Sequence, residues 1–401
     1  MNTLNPVGIA VPIFFGLMAI ELIASWFQKK KVYRFNDTIS NLGCGIGDQL
    51  LGLFTKVFTV GIYAYVYDNY AFLSLDSNNL WVWATAFIFI DFCYYWYHRE
   101  SHLVSLFWAT HSVHHQSEEY NLAVALRQSW FAKFFAWIFY IPAALFGFPP
   151  LMFVLCYSIN LFYQFWIHTK LIDRMGFLEI FMNTPSHHRV HHGTNEIYLD
   201  KNYAGVFIIW DRIFGSFQPE LNHDPPVYGV LAPIGSWNPI ITNAGPLQKI
   251  FRLTLKTKNI SLGLQTLFRE PGWLPPTVEA PRTLNRGYDR DNRTAHMYVG
   301  VQFFLVTVAM TLLLTFSAYI EWWFLLPAAI CTVLIPITTS GYLEKRTWAF
   351  ALEAIRNVCV LIIVFCNPYT DFYYFGIGFA VLSLMAFLVM GRTKPKMALE
   401  T

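Results

Sequence analysis

Charge is scarce in this chain. Only 13% of its 401 residues are Asp, Glu, Lys or Arg, against roughly 25% in a soluble protein. That scarcity excludes a disordered chain and an ordinary cytosolic enzyme, and the composition is not that of a collagen or a coiled coil. The balance of charge is small too, and a net +3 gives no footing for nucleic acid. Paired-cysteine motifs are missing. The six cysteines show no C-x-x-C spacing, and Cys93, Cys156, Cys331, Cys359 and Cys366 lie in apolar runs. They read as buried small hydrophobes, neither a disulfide framework nor a zinc ribbon. Hydrophobic residues, by contrast, make up 55% of the chain, with 37 Phe, 22 Tyr and 14 Trp, and mean hydropathy is +0.38. Such an excess of aromatics suits a membrane protein with interfacial belts.

A crossing helix takes about 20 mostly apolar residues. Residues 7–27 qualify, and Lys29, Lys30, Lys31 and Arg34 follow them. A cleavable leader carries its positive charge before the apolar run, so this segment reads as an uncleaved anchor. A second span is expected within 42–67, interrupted by Lys56, and a third at 80–97. An apolar stretch at 134–167 is broken by Gly147, Pro149 and Pro150, which predicts a helical hairpin. Further segments lie near 297–319, 322–338, 349–366 and 372–390. The connections at 68–79, 146–151, 320–321 and 367–371 hold no Lys or Arg, whereas the opposite ends carry Lys29–Lys31, Arg99, Arg127, Lys133, Lys170, Arg174, Lys345, Arg346, Arg392, Lys394 and Lys396. By the positive-inside rule those ends are cytoplasmic.

The expected fold is therefore an all-α integral membrane protein, a multi-span helical bundle with a cytoplasmic His-box cap holding a di-metal centre. Residues 1–97 would form N-terminal spans and 98–217 a catalytic core that includes the hairpin. Residues 218–296 would be a cytoplasmic segment ending in a Pro- and Arg-rich linker from 269, and 297–401 the C-terminal spans. Gly43, Gly45 and Gly47 are no dinucleotide fingerprint, since no strand precedes them; they read as close helix packing.

Ten of the twelve histidines fall between residues 98 and 192. His98 and His102 stand at i, i+4. His111, His114 and His115 offer i, i+3 and i+4, and His188, His191 and His192 repeat that spacing after His187. On a helix, positions three and four apart share a face, so two such imidazoles converge on one ion. The adjacent pairs point about 100° apart, which gives a second ion a use for both members. With His168, the boxes offer nine or ten nitrogens, too many for one metal and suited to two with open positions. His168 and His187 carry no repeat of their own; His187 reads equally as a ligand or as a hydrogen-bond donor behind one. His223 and His296 lack cluster spacing and are expected at the surface or in the core. The boxes lie at the cytoplasmic mouth of the bundle, where a metal centre meets a lipid whose tail stays in the bilayer. A transporter would place its ligands at mid-bilayer, and a haem carrier would need histidine pairs within facing spans.

The order HxxxH, HxxHH and a distant HxxHH among membrane spans resembles the fatty acid hydroxylase/sterol desaturase superfamily. The likeness extends through Tyr94–His98, Trp108–His115, Tyr120–Ser129, Tyr163–Thr169, Asn183–Gly193, Asp200–Gly205 and Ile209–Gly215. It is closest to the superfamily's ether-lipid branch. That resemblance implies an O2-dependent enzyme with two iron ions and tetrahydrobiopterin as reductant, which hydroxylates the ether-linked carbon of an alkylglycerol. The product is a hemiacetal that falls apart into a fatty aldehyde and a glycerol derivative. The implied ligands are His98, His102, His111, His114, His115, His168, His188, His191 and His192, with His187 beside them. Implied partners are a lipid in the bilayer and an electron donor or pterin-recycling reductase. The location would be the cytoplasmic membrane of a bacterium or the endoplasmic reticulum of a eukaryote. Glu100, Glu118, Asn121, Asp200 and Asp211 are candidates behind the ligands, Asn121 and Asp211 falling inside matched stretches. In one place the chain departs from the pattern: the family's Glu directly after the second histidine is here Leu103. That leaves open a hydroxylase or desaturase of another lipid, fatty acyl or sterol-like, with a different donor.

Overall fold

The computed structural model describes residues 6–257, 259–276, 278, 295–366 and 369–390. Among them the regular structure is helical, with isolated bridges joining Gly193 to Tyr228 and Leu221 to Asp224. Helices α1 (Pro6–Phe27) and α2 (Phe35–Tyr70) are followed by α3 (Leu80–Leu103) and α4 (Ser105–His115). The short α5 (Leu122–Ala125) leads to α6 (Lys133–Leu145) and α7 (Pro150–Trp166). Two more short helices, α8 (Pro185–His191) and α9 (Ile209–Ile213), precede α10 (Pro239–Lys256) and α11 (Ile260–Phe268). The chain closes with α12 (His296–Thr315), α13 (Trp322–Leu343), α14 (Trp348–Phe365) and α15 (Thr370–Met390).

Helices α1, α12, α13 and α14 are long and apolar enough to cross a membrane, and α2 qualifies as a pair of segments bent by 43°. The protein is a multi-pass membrane protein. The expected third span, α3, is not among those helices, while the expected break at Gly147, Pro149 and Pro150 is there, between α6 and α7. α6 and α7 have 13 and 17 residues, short of the roughly 20 a crossing needs. α3 carries Asp91, which is fully buried. Its carboxylate accepts from the Val206 and Phe207 amides (2.8 and 3.1 Å), from Trp210 Nε1 (2.9 Å) and from Asn160 Nδ2 (2.6 Å). The polar flaw in that apolar run is the anchor for a loop of the cap. Much of the expected linker, and Arg392, Lys394 and Lys396, lie outside the described residues.

Two apolar clusters organise the packing. One joins α1, α2 and the four C-terminal helices through residues such as Leu42, Phe303, Ile335 and Val360. The other joins α3, α6 and α7 with Tyr63 of α2. α2 spans both, and close approach makes that possible: a Cβ on Gly45 would stand 2.4 Å from the Leu126 carbonyl oxygen, and one on Gly47 2.2 Å from the Trp130 ring. The α6–α7 turn needs Gly147 at φ 91°, and Pro150 opens α7 at its first turn, where no amide hydrogen is required.

Candidate metal centre

α3 ends on the first box. Val104, with φ −111° and ψ 119°, breaks the helix, and α4 starts at once, which turns His111, His114 and His115 back toward His98 and His102. His168 follows the end of α7. Pro185 opens α8, and that helix presents His188, His191 and His192 from the opposite side. The ring nitrogens gather in two groups, His98, His102, His111, His115 and His191 in one, and His114, His168, His188 and His192 in the other. Within each group the nitrogens lie within 4.8 Å of one another, and all nine side chains are buried. The adjacent pairs His114/His115 and His191/His192 divide between the groups, as the 100° rotation on a helix requires.

Backbone carbonyls fix the tautomers. A carbonyl only accepts, so His98 donates from Nδ1 to Tyr203 O (2.7 Å) and His191 to Lys201 O (3.0 Å). In the other group His114 donates to Arg127 O (3.0 Å) and His168 to Gln164 O (2.7 Å). Their Nε2 atoms are left as lone pairs. Yet His168 Nε2 stands 3.2 Å from His114 Nε2 and 3.0 Å from His188 Nε2, and His98 Nε2 stands 3.0 Å from His111 Nε2. His114 and His168 thus face each other acceptor to acceptor. The Nε2 atoms of His102, His191 and His192 are buried with no hydrogen-bond partner. A cation resolves both conflicts. Two nitrogens about 2.1 Å from one ion stand about 3.0 Å apart at right angles and about 3.4 Å apart at the tetrahedral angle. The residues present therefore fit a metal in each group.

Protons do not supply the missing cation. Burial pushes the His114 imidazole down to about 4. Burial and neighbouring imidazoles hold His111, His115, His188 and His192 well below their usual range. These rings are neutral at physiological pH, the state in which imidazole ligates.

The other candidates sit elsewhere. His187 belongs to neither group; its ring packs edge-on against Phe217 at 5.3 Å and faces Glu179. His296 stacks on Phe35, and His223 is exposed. Asp211 accepts from the Tyr203 and Ala204 amides (both 2.8 Å) and from Ser216 Oγ (2.7 Å), so it holds the loop whose carbonyl orients His98. Asn121 caps α5 and donates to Val32 O (2.6 Å); it faces no imidazole of either group. Glu118 pairs with Arg34 (3.0 Å), and Asp200 lies 3.7 Å from His102 Nδ1. Glu100 is half-buried, and its carboxylate has no hydrogen bond among the described residues.

Sequence reasoning counted Arg127 only as a cytoplasmic charge inside a matched stretch and missed its role behind the ligands. Its guanidinium is buried and donates to Val113 O (2.6 Å), Ser40 Oγ and Asn41 Oδ1 (both 2.9 Å) and Gln116 Oε1 (3.1 Å), fixing the carbonyl that His114 uses. An Arg directly after the apolar run 122–126 and inside the matched stretch was the available signal. It also missed Tyr120, stacked on His168 at 5.7 Å, and Trp108, which covers His102 at 4.9 Å.

Comparison with known proteins bears on this centre directly. Residues 83–216 match the fatty acid hydroxylase family, the stretch that carries both nitrogen groups. The chain is 37% identical to the human alkylglycerol monooxygenase over 88% of its length and 81% of that protein's. The Danio rerio alkylglycerol monooxygenase is 39% identical over 88% of this chain and 81% of its own, and that of Xenopus tropicalis 38% over 87% and 79%. The chain belongs to the alkylglycerol monooxygenase family. As a member of that family it is a membrane-bound lipid monooxygenase, an oxidoreductase whose histidine clusters could bind metal. No solved structure matches it.

Proposed function

We propose that this chain hydroxylates the ether-linked carbon of an alkylglycerol lipid, using two iron ions, one in each histidine group. The observation that carries the reading is the pair of facing nitrogen nests, with tautomers already set for ligation, in a chain related to alkylglycerol monooxygenases. Iron there supplies the activation of O2 needed to insert one oxygen atom into an unactivated C–H bond.

The protein's own part is positioning. Nine neutral imidazoles leave the ions' positive charge uncompensated, and their burial keeps bulk water away. Trp108, half-exposed over His102 and 5.5 Å from His115, forms the wall along which the lipid's reacting carbon is held, and correct placement is worth several kcal/mol of the barrier, about 7–11 at the limit. The ether oxygen stabilises charge or spin on the neighbouring carbon, which makes that carbon the easiest to oxidise. Insertion gives a hemiacetal, whose C–O bond to glycerol breaks to release a fatty aldehyde and a glycerol derivative. The second oxygen atom leaves as water with two electrons and two protons from the reductant. The reading places the centre on the cytoplasmic face, with residues 98–217 as catalytic core and tetrahydrobiopterin as reductant.

Leu103 favours one second reading, a hydroxylase of another lipid with a different donor, because leucine offers a pterin no acceptor. Purified membranes given an ether lipid or an acyl lipid, with reduced pterin or a ferredoxin, separate the two. Fatty aldehyde from the ether lipid with pterin supports the first. Acyl-lipid hydroxylation on ferredoxin alone supports the second.

A further inference from the structure

The thirty residues from Pro239 to Phe268 contain Lys249, Arg252, Lys256 and Lys258 and no Asp or Glu, in a chain whose Lys+Arg and Asp+Glu totals are 28 and 25. They form α10 and α11, packed on one another. Thr254 Oγ1 and Thr266 Oγ1 meet at 2.6 Å, and Gly263 lets the helices close. We propose that this hairpin lies in the headgroup layer of the leaflet on the histidine side, its apolar edge among acyl chains and its basic edge on anionic lipid headgroups.

Its outer edge is apolar and uncovered. Leu255 is 84% exposed, Ile260 83% and Phe268 62%. Ile260, Leu264 and Phe268 repeat every four residues and share one face of α11; Phe251 and Leu255 do the same on α10. Lys249, Arg252 and Lys256 are exposed beside them and make no ion pair among the described residues. An acid-free basic helix with an apolar face is the pattern of a segment that lies on a membrane surface. Anionic headgroups supply the missing negative charge.

The depth fits. Thr242 Oγ1 of α10 meets Cys44 Sγ of α2 at 3.4 Å, and Asn243 Oδ1 accepts from the Trp130 amide at 2.9 Å. Cys44 lies in the third turn of α2, just past the basic residues Lys29–Lys31 and Arg34 that mark the membrane edge. The hairpin and the two residues that follow it also grip the metal-bearing helix at both ends. Ser105 at the start of α4 donates from its amide to Arg269 O (2.9 Å) and from Oγ to Glu270 O (3.1 Å), and Gln116 at its end donates to Thr242 O (3.2 Å). Between those points α4 carries His111, His114 and His115. The hairpin thus holds that helix against the leaflet from which a lipid reaches the centre.

The test uses the full chain in nanodiscs, with Cys359 and Cys366 replaced by Ser, and reads depth rather than turnover, so it is independent of the catalytic reading. Nitroxide labels at Leu255→Cys, Leu264→Cys and Phe268→Cys should collide with membrane-soluble O2 and lose collision with a water-soluble nickel chelate. A label at Lys249→Cys, on the basic edge about 120° around α10 from Leu255, should show the reverse. Adding phosphatidylglycerol to phosphatidylcholine discs should deepen the three apolar positions, and changing Lys249, Arg252 and Lys256 to Gln should abolish that shift. Nickel access at Leu255 and Leu264 equal to that at Lys249 overturns the insertion. A depth indifferent to phosphatidylglycerol overturns the headgroup assignment.

Discussion

Asp211→Asn should loosen one metal group and spare the other. The carboxylate takes three hydrogen bonds, from the Tyr203 and Ala204 amides and from Ser216 Oγ. Burial pushes this carboxyl up to about 6, so above neutral pH it is ionised, and each bond to a charged acceptor contributes about 1.5–3 kcal/mol. Asparagine keeps one acceptor oxygen and turns the other into a donor, so one backbone amide is left facing an N–H. The loop must shift, and it carries both carbonyls that orient the five-histidine group, Tyr203 O for His98 and Lys201 O for His191. The four-histidine group uses Arg127 and Gln164 instead. Losing an outer hydrogen bond of this kind typically lowers metal affinity about ten- to a hundredfold. Chelator titration of iron-loaded protein should therefore release one ion per chain early and the second with wild-type affinity. Parallel release of both, or release unchanged from wild type, would refute the idea that Asp211 acts through this loop.

His187→Ala should keep both ions, because that ring lies outside both groups, whereas His114→Ala and His191→Ala should each lose an ion and abolish turnover; elemental analysis beside a turnover assay separates them. Leu103→Glu should lower the KM for reduced pterin by roughly ten- to over a hundredfold, the worth of a charge-assisted hydrogen bond, while a KM unmoved by the change removes position 103 from the pterin contact. Arg356→Leu strands the fully buried Glu353 in the C-terminal bundle and should cost about 3–5 kcal/mol, read as a lower unfolding midpoint in detergent at unchanged turnover per folded molecule.

The histidine spacing was legible because helix periodicity makes i, i+3 and i+4 side chains neighbours, and the bisection of the HH pairs followed from the same geometry. The groups behind the rings were not. Four of the orienting partners are backbone carbonyls, at Arg127, Gln164, Lys201 and Tyr203, and a carbonyl leaves no mark in a sequence. Asp211 was legible as a candidate, though its role, holding a loop, was not. Apolar runs revealed the long helices but not what Asp91 does inside α3, because its four donors are all distant in sequence. The hairpin of α10 and α11 was read only as part of a cytoplasmic segment, since its amphipathic faces separate only once each helix's start is known.

The central claim is that each histidine group holds one iron ion. Iron counted per chain by elemental analysis, on protein reconstituted anaerobically in lipid and washed free of loose metal, tests it most directly. The account predicts two irons per chain, falling to one in His114→Ala and in His191→Ala. A single metal per chain in the wild type, unchanged in one of those variants, would contradict it.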